Sequence, residues 1–321
     1  AGIQCIKRLW LQFYKPDKAV PPSPAQQRIF DQGTAVGELA RKSFPDGWLI
    51  PAAYYETPKA LEQTKQALQA GIVDLFEPCF VFENTLVRVD VLHRNADSTF
   101  DIIEVKSTTG AHTEHIWDLA IQTFVLEGCG LPVRSTRLMH LDRACRYPDL
   151  SNLFTTTDLT QEVRDHLQVV PDNLSQFNAA INSETEPSTP IGSHCSRPYE
   201  CPFRAYCFNQ ANVPTISIFN IPRLGSDKLD SMIASSILSL ETVPADLSLS
   251  ETQREFIDLY VNGAKRVDIP GIKTMLSGLT YPLYFLDFET DSPAVPWLEG
   301  LGPYQKFPFQ FSLHILDQEG S

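Results

Sequence analysis

A mixed α/β sheet flanked by helices is the fold this sequence predicts, on two observations. Apolar residues recur at helical spacing, change to strand-like runs between residues 76 and 106, and return to helical spacing after residue 112. The resulting order is helix, three antiparallel strands, helix and a further strand, which fits a mixed sheet better than a sandwich or a barrel. With 321 residues, 43 % of them hydrophobic and 20 % charged, the chain can bury a sizeable core in two ordinary domains.

Residues 1–15 read as helical or extended, with a basic-aromatic character from Lys7, Arg8, Trp10 and Tyr14. Pro21, Pro22 and Pro24 interrupt the chain, and a helix is predicted over 25–44 on the stripe Ile29, Gly33, Val36, Gly37, Ala40 and Phe44, with Glu38 beside it. A second helix is expected over 58–71, presenting Leu61, Thr64, Ala67 and Leu68 on one side. Residues 76–82, 85–93 and 98–106 read as three strands, the last two joined by Asn95-Ala96-Asp97, and this meander should pack on the glycine-bearing helix. Ile116, Leu119, Ala120, Phe124 and Val125 define a helix ending at Gly128, and 133–142 is a strand. Helix is expected within 152–182 and again over 251–261, after a Ser-, Pro- and Asp-rich boundary at 238–250. Residues 283–288 and 309–316 read as two strands opening a second sheet that the sequence does not complete.

The net charge is −13, which disfavours a protein that coats nucleic acid through a general positive field. An enzyme that gathers carboxylates around a divalent metal remains open. Seven cysteines is an odd count, and three of them fall within 13 residues, a clustering that reads as a metal site rather than a disulfide framework. Apolar runs fall far short of the roughly 20 residues that span a bilayer, and no basic-then-apolar leader opens the chain. A cytoplasmic protein without a membrane segment is expected.

The sharpest constellation is Asp90 with Ile103-Glu104-Val105-Lys106. On a strand, Glu104 and Lys106 share one face while Ile103 and Val105 serve the core, and the hairpin brings Asp90 beside Glu104. Adjacent carboxylates repel unless a cation lies between them, and oxygen ligands suit Mg²⁺ or Mn²⁺. Lys106 would orient an attacking water and offset charge on a pentavalent phosphate. Glu38 is a further candidate ligand, and Gln122 would position the lysine or a phosphate. A lone E-x-K is a common surface pair; its weight here comes from Asp90, Glu38 and Gln122 at compatible positions.

Cys195, Cys201 and Cys207 form C-x5-C-x5-C, and soft thiolates favour zinc or iron-sulfur chemistry. The fourth ligand is assigned to Cys5, with His194 as the local competitor; spacing does not separate tetrahedral zinc from a 4Fe-4S cluster. Cys79, Cys129 and Cys145 read as buried or incidental thiols. Lys7, Arg8, Trp10, Arg197 and Arg204 would grip a strand backbone and stack bases, and Arg134, Arg137, Arg143 and Arg146 form another basic patch. His112 and His115 read as surface or loop residues. Asp287 and Glu289 share a face of the strand at 283–288 in a D-x-E pattern.

Gly33 through Glu38, Arg88-Val89-Asp90, Glu104-Val105-Lys106 and Asp118-x-x-x-Gln122 resemble the successive motifs of RecB-type nucleases in the PD-(D/E)XK superfamily. The resemblance implies a restriction-endonuclease-like mixed sheet and DNA phosphodiester hydrolysis, with Asp90 and Glu104 on the metal, Lys106 completing the site and Gln122 as the helical glutamine. The usual motif adds a tyrosine four residues after the glutamine, where this chain has Leu126. Cys5 in a C-x-x-R-L-W context, with three later cysteines, resembles iron-sulfur RecB-like exonucleases, CRISPR-associated ones included. This implies a 4Fe-4S staple on Cys5, Cys195, Cys201 and Cys207; the wider cysteine spacing keeps zinc as the alternative. Residues 283–290 resemble the first motif of DEDD-type exonucleases, which implies the beginning of an RNase H-like domain with Asp287 and Glu289 as metal ligands. The whole resembles an uncharacterised bacterial family that sets this segment after a cysteine-stapled RecB-like domain.

The expected organisation is therefore a nuclease domain with its cysteine cluster over 1–210, a helical linker over 211–280 and an incomplete RNase H-like domain over 281–321. The expected activity is Mg²⁺- or Mn²⁺-dependent DNA hydrolysis, exonucleolytic by resemblance, on single strands or duplex ends. DNA repair or antiviral defence, with protein partners there, are the implied settings. The alternatives are a nucleic-acid-binding module with a decayed site, and an RNA-processing exonuclease acting through the completed second domain.

Overall fold

The computed structural model describes residues 1–318. Its backbone clusters into two units: Pro22–Ala179 with Glu289–Gln310, and Ala1–Pro21 with Ala180–Phe288 and the described residues from Phe311 on. In chain order the first elements are α1 (Ile6–Tyr14) and α2 (Pro24–Ala40). Next come β1 (Trp48–Leu49), α3 (Thr57–Gln69), β2 (Asp74–Phe76), β3 (Cys79–Phe82) and β4 (Thr85–Arg88). Then follow β5 (Val91–Arg94), β6 (Phe100–Val105), α4 (Thr113–Gly128), β7 (Val133–Leu141) and β8 (Phe154–Asp158).

In the unit built on Pro22–Ala179, α2 starts where the prolines predict. Pro24 occupies the first turn, and the Ser23 hydroxyl accepts the Gln26 N–H at 3.2 Å. Only the second half of its apolar stripe packs: Val36 and Ala40 are buried, whereas Ile29 is exposed.

Two of the three expected strands are each broken in two. Pro78 has no N–H to give a ladder, and Glu77 before it adopts a left-handed backbone (φ 56°), so the chain turns out of the sheet after β2. Residues 79–88 leave as a separate hairpin, β3 paired with β4, and the chain rejoins the main sheet at β5. Asp90 lies at that point of return. The main sheet has six strands in the order β1-β2-β5-β6-β7-β8. It is mixed: β1–β2 and β6–β7 are parallel, β2–β5, β5–β6 and β7–β8 antiparallel. The parallel β6–β7 pair needs a crossover, which α4 supplies.

Both faces of this sheet are covered. Leu75, Leu92, Ile102 and Leu138 pack with Ala60 and Ala67 of α3 and Leu119, Ala120 and Leu126 of α4. Phe76, Val91, Ile103 and Met139 pack with Ala40 of α2, so the strands do meet the glycine-bearing helix. Both faces of β6 are covered: Ile102 and Ile103 are both core, and Glu104 is itself only 5 % exposed. Ile102, fully buried, is expected to cost about 2–5 kcal/mol when cut to alanine, read as a lower urea midpoint at unchanged slope. Residues 289–310 join this unit through Ala294, buried with Val36 and Leu141, and through the Tyr304 hydroxyl bonded to the Ser107 carbonyl.

The remaining elements are α5 (Thr160–Leu167), α6 (Val170–Ile181), α7 (Arg204–Gln210), α8 (Ser226–Ala234), α9 (Glu251–Val261) and α10 (Ile269–Ser277), then β9 (Leu283–Asp291) and β10 (Phe307–Leu316). The stretch 211–280, expected as a helical linker, builds a core of its own from Ile218, Ile221, Met232, Leu240 and Ile257. Trp10 and Leu11 of α1 pack with Cys201 and Phe203. Strands β9 and β10 pair as a two-stranded ribbon whose Phe285, Phe288, Phe309 and Phe311 are exposed. Among the described residues no helix is long and apolar enough to cross a membrane.

Candidate active site and cysteine cluster

The site is built where β5 begins beside the end of β6. Val91 pairs with Ile103, which sets Asp90 against the last residues of β6, and the Val105 N–H donates to Asp90 Oδ2 at 2.7 Å. Glu104 points to the α4 side. Its Oε2 accepts from Gln122 Nε2 at 2.7 Å, and its Oε1 pairs with Lys106 Nζ at 2.8 Å. Lys106 also reaches Asp118 Oδ2, one helical turn before Gln122, at 2.9 Å. The four predicted residues Asp90, Glu104, Lys106 and Gln122 therefore come together. One assignment changes: Gln122 holds the glutamate, and it is Asp118 that holds the lysine.

Burial first, and then the negative charge of Glu104, push the Asp90 carboxyl well above the usual carboxylate range, against the pull of the Val105 N–H. Burial works against the Lys106 ammonium, but the charges of Glu104 and Asp118 outweigh it and hold the group protonated above the ordinary lysine value. Three carboxyl groups, Asp90, Glu104 and Asp118, thus gather around one ammonium, which already bridges Glu104 and Asp118. His115 is buried, accepts the His112 N–H at 3.2 Å within the first turn of α4, and stays neutral: burial, then the nearby Lys106 charge, lower it to about 4.

A cavity opens beside Asp90, lined by Gly33, Gly37, Glu38, Arg41 and Glu77. Glu38 is exposed on its wall, as the helix stripe predicts. Arg41 and Glu77 were not anticipated. They pair at 3.3 Å, and Glu77 donates its backbone N–H to the Asp90 carbonyl at 3.3 Å. Arg41, one turn beyond Glu38, was legible from helical spacing; Glu77 was hidden in a run read as continuous strand.

Hard carboxylate oxygens backed by an amide and an ammonium suit Mg²⁺ or Mn²⁺. The Gln122 Oε1 atom is buried without a partner and adds an acceptor at the same place. Among the described residues no group of three or more His, Cys, Asp or Glu side chains is arranged as it stands to hold a metal ion. At Glu104 the cause is visible, since both of its oxygens are engaged, by Lys106 and by Gln122.

In the other unit, Cys5, Cys195, Cys201 and Cys207 line one cavity with His194. Cys5 is the N-cap of α1. Burial works against its thiolate, yet a hydrogen bond with His194 and the backbone N–H groups of Arg8 and Lys7 lower its pKa. His194 Nε2 lies 3.8 Å from Cys195 Sγ, and its bonds to Cys195 and Cys5 outweigh burial and raise it to about 10. Burial raises Cys201, and raises Cys207 to about 11. Four soft donors on one cavity fit zinc or an iron-sulfur cluster equally.

The surroundings of this cavity revise the DNA-gripping reading in part. Trp10 is 3 % exposed, donates to the Ser183 carbonyl at 2.8 Å and stacks on Tyr14, so it holds α1 in place rather than offering a face to a base. Lys7 and Lys15 both pair with Glu186, at 2.9 and 2.8 Å. Partial burial opposes the Glu186 charge, but hydrogen bonds from Lys15, Lys7 and Tyr206 hold the carboxyl down at about 2. A depressed carboxyl stabilises the fold above its unfolded pKa, near 4.5, and that contribution fades as pH falls toward 2. Glu186→Gln is therefore expected to melt below wild type at pH 7 and to match it near pH 2, by thermal scans across that range. In the second basic patch, Arg134 and Arg137 both face the buried Asp101, at 2.6 and 3.9 Å.

Asp287 and Glu289 are exposed on β9. Cys79 and Cys145 are buried and Cys129 is exposed, all outside the cysteine-lined cavity.

Comparison with known proteins adds little. The family described as "Domain of unknown function (DUF2779)" matches residues 284–321. No curated protein matches the chain significantly. A solved structure described as "Crystal structure of SSO0001" is similar at 12 % identity over 56 % of this chain and 80 % of that one, with a TM-score of 0.22, a likeness too slight to argue from.

Proposed function

We propose that the chain is a metal-dependent deoxyribonuclease of the RecB-like PD-(D/E)XK kind, with a structural metal centre on its four clustered cysteines. The observation that supports this best is the convergence of Asp90, Glu104, Lys106 and Gln122 where β5 begins beside the end of β6: Asp90 accepts the Val105 N–H at 2.7 Å, and Glu104 is held by Gln122 at 2.7 Å and Lys106 at 2.8 Å. A bound Mg²⁺ or Mn²⁺ would supply Lewis acidity and a more acidic water. The chain does the rest. Asp90 and Glu104 present hard oxygens, and the Gln122 amide fixes the Glu104 rotamer. Lys106 orients the attacking water and offsets charge building on the phosphate. Asp118 gives the ammonium an anion to stay on when Glu104 turns to a cation. The leaving oxygen departs protonated.

On this reading Cys5, Cys195, Cys201 and Cys207 hold a 4Fe-4S cluster, or zinc, that fixes α1 to residues 195–207. Residues 281–321 are the opening of an RNase H-like, DEDD-type domain, on the strength of Asp287 and Glu289 sharing one face of β9. DNA is the partner, and repair or defence in the cytoplasm the setting.

The test uses anaerobically purified protein with 5′- and 3′-labelled single-stranded DNA, duplex DNA and RNA. Cleavage of DNA that needs Mg²⁺ or Mn²⁺ and stops with chelator is the expected outcome, and the label pattern gives polarity. Turnover of RNA alone would move the activity to the β9 carboxylates. Binding without cleavage would mark a decayed site.

A further inference from the structure

Two half-buried arginines at the cysteine cavity each keep one buried N–H, the Nε–H, without a hydrogen-bond partner. Arg8, three residues beyond Cys5 on the first turn of α1, lines the cavity with the four cysteines; so does Arg204, the first residue of α7. The Nε–H of each is shut off from solvent and makes no hydrogen bond. Neither side chain is loose. Arg8 donates through Nη1 to Gln4, whose own amide is pinned by the His194 and Tyr199 carbonyls, both at 2.7 Å. Arg204 donates through Nη1 to Glu200 at 2.9 Å, and its guanidinium lies 4.6 Å over the Phe208 ring.

The lysines nearby behave differently. Lys7 and Lys15 are both neutralised by Glu186. Among the described residues Arg8 has no carboxylate partner within ion-pair distance, and its charge is felt instead by Cys201, whose thiolate it favours. A buried guanidinium N–H without an acceptor is costly, and a buried cation without an anion more so. One kind of occupant would answer both needs at once: a centre rich in sulfur acceptors and carrying surplus negative charge. Four thiolates around zinc, or around an iron-sulfur cube, make such a centre.

We infer that Arg8 and Arg204 donate their Nε–H groups to the sulfur of a thiolate-bound metal centre in this cavity, as positioning residues that balance its charge and retain it. The inference rests on the metal-centre reading of the four cysteines. It goes beyond that reading in naming what holds the centre besides its ligands. It also gives Arg8, which directly follows Cys5-Ile6-Lys7, a role apart from gripping DNA.

The experiment measures how fast the holoprotein loses its metal to excess chelator, by bleaching of the visible absorption for iron or by a colorimetric dye for zinc. Wild type is compared with Arg8→Met, Arg204→Met and Arg8→Lys, each checked for fold by circular dichroism. The expected outcome is roughly tenfold faster loss for each methionine variant, the scale of second-layer partners around metal ligands, with Arg8→Lys in between. Equal rates in folded variants that start fully loaded overturn this inference and leave the metal-centre reading standing. A wild-type protein that carries neither iron nor zinc overturns both. Should Arg8→Met fail to fold, Arg8→Lys and Arg204→Met still decide, since a point charge without the Nε–H fork does not restore the lost donor.

Discussion

Lys106→Ala is expected to slow the proposed metal-dependent DNA cleavage about 10²- to 10³-fold, the loss typical of removing one preorganised charge from a hydrolytic site. The ammonium is placed for that role by two anions, Glu104 at 2.8 Å and Asp118 at 2.9 Å, which also keep it protonated. Without it, Glu104 and Asp90 face each other with less positive charge nearby, so divalent binding is retained or tightened. The loss should therefore fall on kcat, with KM for DNA little changed, in steady-state assays at saturating Mn²⁺. Arginine is a poor rescue, because its planar fork cannot occupy the place of a point ammonium between two carboxylates. Full activity in the variant would exclude this lysine from the reaction and direct attention to the β9 carboxylates.

If the four cysteines hold a metal centre as proposed, Cys201→Ser is expected to remove it and unfasten α1. Cys201 is buried beside Trp10, Leu11 and Phe203, and its backbone N–H donates to the Cys195 carbonyl at 2.9 Å. Residues 1–21 belong to a unit whose other members begin at residue 180, so most of what holds them there is contact made far along the chain. Metal binding at sites assembled on folding contributes on the order of 10 kcal/mol of folding free energy, comparable with the ~5–15 kcal/mol that stabilises a whole domain. The serine variant is expected to lose its metal, to melt at lower temperature, and to be cut by protease within the first 21 residues, where wild type resists. Identical digestion patterns by mass spectrometry would show that Trp10 and the Glu186 pairs hold α1 unaided.

The helices were legible because their apolar spacing is long and regular. α3, α4 and α9 fall within a residue or a few of the expected bounds. Strands were legible where alternation was clean and lost where a local feature cut them. Glu77-Pro78 ended β2 in the middle of an apolar run, and the chain between Arg88 and Val91 crosses from one sheet to another at the site itself. β8 reads Phe-Thr-Thr-Thr-Asp, with no apolar alternation to announce it, and β1 is two residues long. At the site, the hairpin arithmetic found Asp90 and Glu104, and helical spacing found Gln122. The sequence held Asp118 one turn away from Gln122, but that Lys106 bonds it, while Gln122 bonds Glu104, depends on how α4 lies over β6. Leu126, where the resemblance expects a tyrosine, is fully buried in the core beneath α4, which leaves that turn a packing role.

Titration of the protein with Mn²⁺, followed by electron paramagnetic resonance of the free ion, tests whether Asp90 and Glu104 form a metal site. Wild type should take up Mn²⁺ saturably, and Asp90→Asn and Glu104→Gln should each weaken that uptake, while Asp287→Asn leaves it in place. Uptake unchanged in both of the first two variants, in protein that remains folded, would contradict a metal-dependent site where β5 begins beside the end of β6.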